Sequence, residues 1–276
     1  MFGLAILFGC LVGFALGLTG GGGGVFAVPL LVYGLAVAPR EAVGISLASV
    51  GGTALFGALP RLFRGEVEVR TGLLFAVAGM FGAPLGTYVS TLIPESILLV
   101  LFGCLMLVVA WRMWEKSRNS SMATGVCTTE GESATDRSAC QRDEDGQLRL
   151  TSKCARLLIL VGLLTGVLSG MFGVGGGFVI VPALVLFSGM EIHRAVGTSL
   201  LVIVLVSISG VGSYLISGKH LTMDLTLQFL VGGFAGMWLG GIVAKRLKGP
   251  TLQKVFALAV VLVAVFVIIK STALAN

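Results

Sequence analysis

The sequence predicts an all-α polytopic membrane protein made of two inverted repeats, each a glycine-broken helical hairpin followed by about three transmembrane helices. Three observations carry the prediction. The chain is 56% hydrophobic and 12% charged with a mean hydropathy of +1.01, whereas soluble domains carry about 25% charged residues. Its two halves match each other at an offset of 153 residues. Its basic residues collect on alternate loops, in a pattern that turns the halves over relative to each other.

Hydrophobic segments fall at 2–18, 25–38, 43–60, 72–92 and 95–114, then at 157–172, 178–190, 196–216, 225–244 and 252–270. The first segment has no basic n-region and no A-x-A site, so it reads as retained rather than as a signal peptide. The domains are accordingly 1–114, a first transmembrane repeat; 115–156, a polar linker rich in Ser, Thr and charge; and 157–276, a second repeat. The linker's composition predicts a loosely ordered loop.

Laid over each other, Gly20–Leu47 and Gly173–Leu200 agree at 13 of 28 positions. The matches include Gly20/Gly173, Gly22/Gly175, Gly23/Gly176, Gly24/Gly177, Pro29/Pro182, Gly44/Gly197 and Ser46/Ser199, and later Gly57/Gly210 and Gly65/Gly218. Membrane helices share a restricted alphabet, but registered glycines and prolines are the mark of a duplicated unit.

Charge orients the units. Arg61, Arg64 and Arg70 lie on one loop, eight Lys and Arg between Arg112 and Arg156, and Lys245, Arg246, Lys248 and Lys254 on a third. Placing these three on the cytoplasmic side satisfies the positive-inside rule. The linker is then cytoplasmic, both termini lie outside, and equivalent loops face opposite sides. The protein is predicted to sit in the membrane as a multi-pass protein.

An odd number of crossings per unit is needed, and segment length suggests how it arises. Spanning the hydrocarbon takes about 20 residues, whereas stretches of about 10–14 more often re-enter or pack inside. Segments 25–38 and 178–190 are in the short range. Each glycine run, "LTGGGGGVFAVP" (Leu18–Pro29) and "MFGVGGGFVIVP" (Met171–Pro182), is therefore expected at the tip of a hairpin. The competing reading makes all five segments cross.

Irregular backbone at membrane depth is tolerated where it is buried in protein or lines a wet cavity. A helix starts after each run, near Val25 and Phe178, and its first turn presents unpaired N–H groups and a positive dipole end. Two such ends brought together would bind an anion with backbone alone. Gly22, Gly23, Gly24, Gly175, Gly176 and Gly177 are the predicted N–H donors. Ser46, Ser49, Thr198 and Ser199, on the helices that follow, are the predicted hydroxyl contributors, with Ser46 and Ser199 paired by the repeat. Arg40, His193 and Arg194 precede those helices and could draw an anion to a mouth. Isolated G-x-x-x-G patterns such as Gly236–Gly240 read as close helix packing.

Other classes lack their parts. No Asp, Glu, Lys or Arg falls mid-segment, which disfavours a carboxylate cation site. No Walker, Rossmann, H-E-x-x-H or G-x-S-x-G motif is present, so neither an enzyme, a cofactor nor a metal is expected. A nucleic-acid partner would need a basic, aromatic-laced soluble face. Cys10 and Cys104 read as small hydrophobes; Cys127, Cys140 and Cys154 read as thiols of a solvated loop in a reducing compartment.

The doubled Gly-x-Gly-Gly-Gly, the following Pro, "AVG-[IT]-S-L" and the later "G-x-x-G-x-x-x-G" resemble the sulfite exporter TauE/SafE family over about 1–114 and 157–270. The resemblance implies a bacterial inner-membrane carrier of sulfite, sulfoacetate or a similar sulfur-containing anion. The partners expected are thus the lipid bilayer and a small anionic substrate moved by alternating access; proton coupling, sodium coupling and a homodimer are each compatible. An anion channel and a non-transporting membrane sensor or scaffold are the rival readings. "TGGGGG" differs from "FGVGGG", so the two half-sites need not be equivalent.

Overall fold

A computed structural model describes residues 2–94, 97–108, 111, 152–174, 177–187, 190, 192–218, 222–244, 260–265 and 267. Every described element is helical. In order they are α1 (Phe2–Thr19), α2 (Gly24–Pro29, continued by a π-turn over Leu30–Gly34), α3 (Pro39–Phe63), α4 (Val69–Leu92), α5 (Ile97–Val108), α6 (Ser152–Phe172), α7 (Gly177–Phe187), α8 (Ile192–Ile216) and α9 (Met223–Ala244). Among the described residues, five helices are long and apolar enough to cross a membrane: α3, α4, α6, α8 and α9. Gly3–Thr19, Gly24–Gly34 and Ile97–Val108 are shorter and apolar.

Local chemistry sets the helix ends. Pro39 opens α3, where its missing N–H would be an orphan in any case. Gly65 and Gly218, equivalent in the repeat, adopt φ of +69° and +71° just past α3 and α8. That left-handed conformation is cheap only for glycine, and it turns the Gly65 and Gly218 N–H groups back to Leu62 O and Leu215 O at 3.2 and 3.0 Å. Inside α4, Pro84 cannot donate to the carbonyl of Met80; the Ser209 hydroxyl of α8 supplies the missing donor at 2.7 Å.

Two differences from the sequence reading concern boundaries. α6 begins at Ser152, so the last residues assigned to the linker are helical and the segment read as 157–172 reaches spanning length. Cys154, in that first turn, is fully buried and disulfide-bonded rather than a free loop thiol. The rest of the linker, Cys127 and Cys140 among it, lies outside the described residues.

The halves interlock through glycine. α1 lies along α9 and α6 lies along α4. A Cβ added at Gly9, Gly13 or Gly17 would strike the backbone of Phe229, Gly233 or Met237. One at Gly162, Gly166 or Gly170 would strike the backbone of Phe75, Gly79 or Ala83. The two sets are equivalent position by position. Without a hydrophobic drive between helices in lipid, such backbone approach is what lets dispersion hold them together. It also identifies the Gly236–Gly240 pattern as packing, since a Cβ there would meet Cys10 and Phe14 of α1.

At the centre α3 crosses α8, with Gly51 against Ser207. The main core gathers Leu16, Leu31, Ile45, Phe75, Leu200, Ile203 and Phe229, all essentially sealed from the surface. A second cluster joins Val25 and Val174, from the two breaks, to Leu98, Phe102 and Phe172. The outward faces are apolar: Phe63, Phe81, Leu160, Trp238 and Val231 are all exposed. For helices of this length that is a lipid-facing surface.

Candidate functional site

The first break is a short irregular stretch closed by its own hydrogen bonds. Gly20 N–H donates to Leu16 O at 2.8 Å, and Gly20 then turns left-handed with φ +73°. Thr19 Oγ1 donates to Ala15 O at 2.7 Å and accepts the Gly22 N–H at 2.9 Å. Val25 and Phe26 N–H reach back to Gly22 O and Gly23 O at 3.2 and 3.1 Å. The N–H groups of Gly23 and Gly24 take part in none of these bonds; they stand at the helix start, where the first N–H groups have no intrahelical partner. All five glycines, 20–24, are buried.

The second break repeats the geometry. Gly173 N–H donates to Ser169 O at 2.8 Å and Gly173 has φ +70°. Gly175 and Gly176, two of the predicted donors, lie outside the described residues. Gly177 is buried at the start of α7.

The two breaks touch. A Cβ on Gly21 would collide with the Gly177 carbonyl, and one on Gly177 would lie 2.6 Å from Gly21 Cα. The equivalent pair does the same: a Cβ on Gly24 would collide with the Val174 carbonyl. Each left-handed glycine is also seated on the other half, Gly20 against Val196 and Gly173 against Val43, again equivalent positions.

The paired serines complete the exchange. Ser46 Oγ donates to Gly173 O at 2.6 Å, and Ser199 Oγ donates to Gly20 O at 2.7 Å. Both serines are fully buried. Each half therefore holds the other half's break by a hydroxyl on its own central helix. Hydroxyls predicted as ligand donors thus turn to carbonyls here: Ser46 to Gly173 O, and Ser199, with its single proton, to Gly20 O and to Val196 O at 2.8 Å.

The remaining predicted residues are not brought to the breaks by a hydrogen bond. Ser49 Oγ donates toward Thr226 O of α9 at 3.4 Å, and Thr198 Oγ1 accepts the Glu68 N–H at 3.0 Å, near the start of α4. The mouth residues anchor loops. Arg194 lies 4.0 Å from Glu68, and Arg40 donates to Thr91 O at 3.4 Å. The His193 side chain lies outside the described residues. Opposite Arg194 in the repeat stands Glu41, which accepts a hydrogen bond from Thr222.

Two residues at the breaks escaped the sequence reading, Thr19 and Ser169. For Thr19 the signal existed: a threonine at the edge of a turn readily accepts a backbone N–H a few residues on. Among the described residues, every fully buried polar side chain is a serine or threonine. The surroundings of the breaks are thus neutral donors and amide dipoles in an apolar envelope. A small cavity of about 10 Å³ beside them is lined by Val28, Pro39, Val43, Leu98, Leu99, Phe102 and Phe172. Its lining offers no side-chain partner for a water.

Comparison with known proteins is consistent along the whole chain. The model of the family described as sulfite exporter TauE/SafE matches residues 5–267. A probable membrane transporter protein of Xylella fastidiosa (strain Temecula1) is 38% identical over 272 residues, covering 96% of this chain and 94% of the relative. The probable membrane transporter protein YunE of Bacillus subtilis (strain 168) is 27% identical, covering 95% of each chain. The probable membrane transporter protein MJ0441 of Methanocaldococcus jannaschii is 29% identical over 77% of this chain and 72% of its own. No solved structure matches the chain.

Proposed function

The chain belongs to the sulfite exporter TauE/SafE family, a family of membrane transporters, and from that premise we propose that it carries a small anion, a sulfur oxyanion or organosulfonate, by alternating access between two inverted repeats. The observation that supports this most is the contact between the two glycine breaks, with Gly21 on Gly177 and Gly24 on Val174.

The physical reasoning is short. Anions bind well where several N–H groups converge and no side chain intervenes. Gly22, Gly23 and Gly24 from one half, with Gly175, Gly176 and Gly177 from the other, would supply those N–H groups. Ser46 and Ser199 would hold the breaks in register and contribute hydroxyls when their carbonyl bonds release; Ser49 and Thr198 would line the approaches. The arrangement described here is closed, because no side chain larger than hydrogen fits between the tips. Access from either side would then require the two halves to part, which is what inverted repeats rocking about a shared site accomplish.

In this reading the first repeat is 1–114, the linker 115–156 and the second repeat 157–276, with the linker cytoplasmic and both termini outside. The disulfide at Cys154 pulls against that sidedness, since the cytoplasm keeps thiols reduced. Labelling single cysteines introduced into the loops at 64–66 and 217–218 with a membrane-impermeant reagent decides the matter; the two loops should react from opposite faces.

The direct test is flux. Purified protein in proteoliposomes should take up labelled sulfite or sulfoacetate with saturation, and a proton or sodium gradient should alter the rate if either ion is coupled. Ohmic single-channel current would replace the carrier by a channel. Transport of neither anion, with a cation moved instead, would remove the reading altogether.

A further inference from the structure

A hydroxyl near the second break has nothing to do in the closed structure. Ser169, on the last turn of α6, is 1% exposed and its Oγ has no hydrogen-bond partner. Serine and threonine on an apolar helix ordinarily bond the carbonyl one turn back. Thr165 on the same helix does so with Gly162 O at 2.9 Å, and Thr19 at the first break does so with Ala15 O at 2.7 Å. Ser169 does not, although a buried hydroxyl left unpaired is costly and uncommon.

Its position points to the break. The Ser169 carbonyl accepts the Gly173 N–H that opens the irregular stretch, so the residue stands one turn before the left-handed glycine. The fold does not require a polar residue there, because the equivalent position in the first half is Leu16, fully buried in the core. Ser207, among the described residues the other buried serine hydroxyl without a partner, sits at the α3–α8 crossing against Gly51 instead.

We propose that Ser169 is a substrate-binding residue, a hydroxyl donor belonging to the second break only. This rests on the anion-carrier reading above. The anion would be held lopsidedly: by N–H groups from both halves, and by one additional hydroxyl from the second. In the first half the equivalent task is absent, Leu16 replaces the serine, and Thr19 spends its oxygen on the Gly22 N–H.

The test compares Ser169→Ala and Ser169→Thr with the parent protein in sulfite and sulfoacetate uptake by proteoliposomes, alongside thermal unfolding in detergent with and without each anion. Loss of a hydrogen bond to an anion corresponds to about a ten-fold or greater weakening. Ser169→Ala should therefore raise KM about ten-fold and shrink the anion-induced rise in Tm, while its Tm without anion equals or exceeds that of the parent. Ser169→Thr, which keeps the hydroxyl, should retain the parent KM. An unchanged KM in Ser169→Ala overturns the inference, as does a lowered Tm without anion, which would make the hydroxyl a structural bond. Failure of the underlying reading looks different: the parent protein itself would move neither anion.

Discussion

The two glycine breaks are built from equivalent positions yet finished with different chemistry. Both start with a left-handed glycine, both have their first carbonyl clamped by a serine of the opposite half, and both press backbone to backbone against each other. The first is then capped from within by Thr19. The second has Phe172 at that position, packed at a tilt against Phe102 with ring centroids 5.5 Å apart, and a buried serine without a partner one turn earlier. The contrast continues along the flanking helices. Where α8 meets α4, Ser209 bonds Met80 O and Ser213 meets Thr87 at 3.0 Å. Where α3 meets α9, the equivalents of Ser209 and Met80 are Phe56 and Phe234, whose rings pack at 5.2 Å. The matching positions keep the close backbone contacts in both halves, while the side chains beside them differ.

The largest effect should come from the shared part. Gly21→Val and Gly177→Val force a branched side chain into backbone; transport should fall below detection in both, measured as sulfite uptake. If only one of them abolishes flux, the tips are not equivalent halves of a site. Next in size are the clamps. Ser46→Ala and Ser199→Ala each strand a buried glycine carbonyl, at a cost of about 1–3 kcal/mol apiece, read as a fall in Tm. The two costs should agree closely, and a marked inequality would mean that one half carries the interlock.

Smaller effects belong to the parts that differ. Thr19→Val removes the acceptor for the Gly22 N–H, and loss of one such hydrogen bond costs about 0.5–1.5 kcal/mol; it should lower Tm and perturb labels placed at the first break but not at the second. Phe56→Leu should cost about 0.5–1.5 kcal/mol of aromatic pairing, against a similar loss for Ser209→Ala, which leaves Met80 O without its donor. Smallest is Glu68→Gln: its ion pair with the half-exposed Arg194 spans 4.0 Å, and exposed pairs contribute about 0–1 kcal/mol. A Tm change beyond that range would mean that Glu68 also stabilises the start of α4 through the bond it accepts from Thr71.

Much of the architecture was legible before any coordinates. Hydropathy located the helices because burying backbone in lipid demands long apolar runs, and glycine marked the breaks because the left-handed φ of Gly20 and Gly173 costs a glycine least. Boundaries drifted where polar residues extend a helix into a loop, as at Ser152–Arg156 of α6. The site was legible in part. Register singled out Ser46 and Ser199, but not that they donate to carbonyls 127 and 179 residues away. Ser49 and Thr198 carried the same sequence signal and bond elsewhere, since one helical turn decides which neighbour a hydroxyl meets. Ser169 had no signal at all: a serine in an apolar helix is ordinary until its partner is found to be missing.

By itself, then, the sequence determined the class and the places where helices must break, because those follow from local rules of hydropathy and backbone freedom. Tertiary structure alone decided that the two breaks meet, that each half clamps the other, and which hydroxyls remain unspent. Those are properties of distance between residues remote in the chain, and no local pattern encodes them.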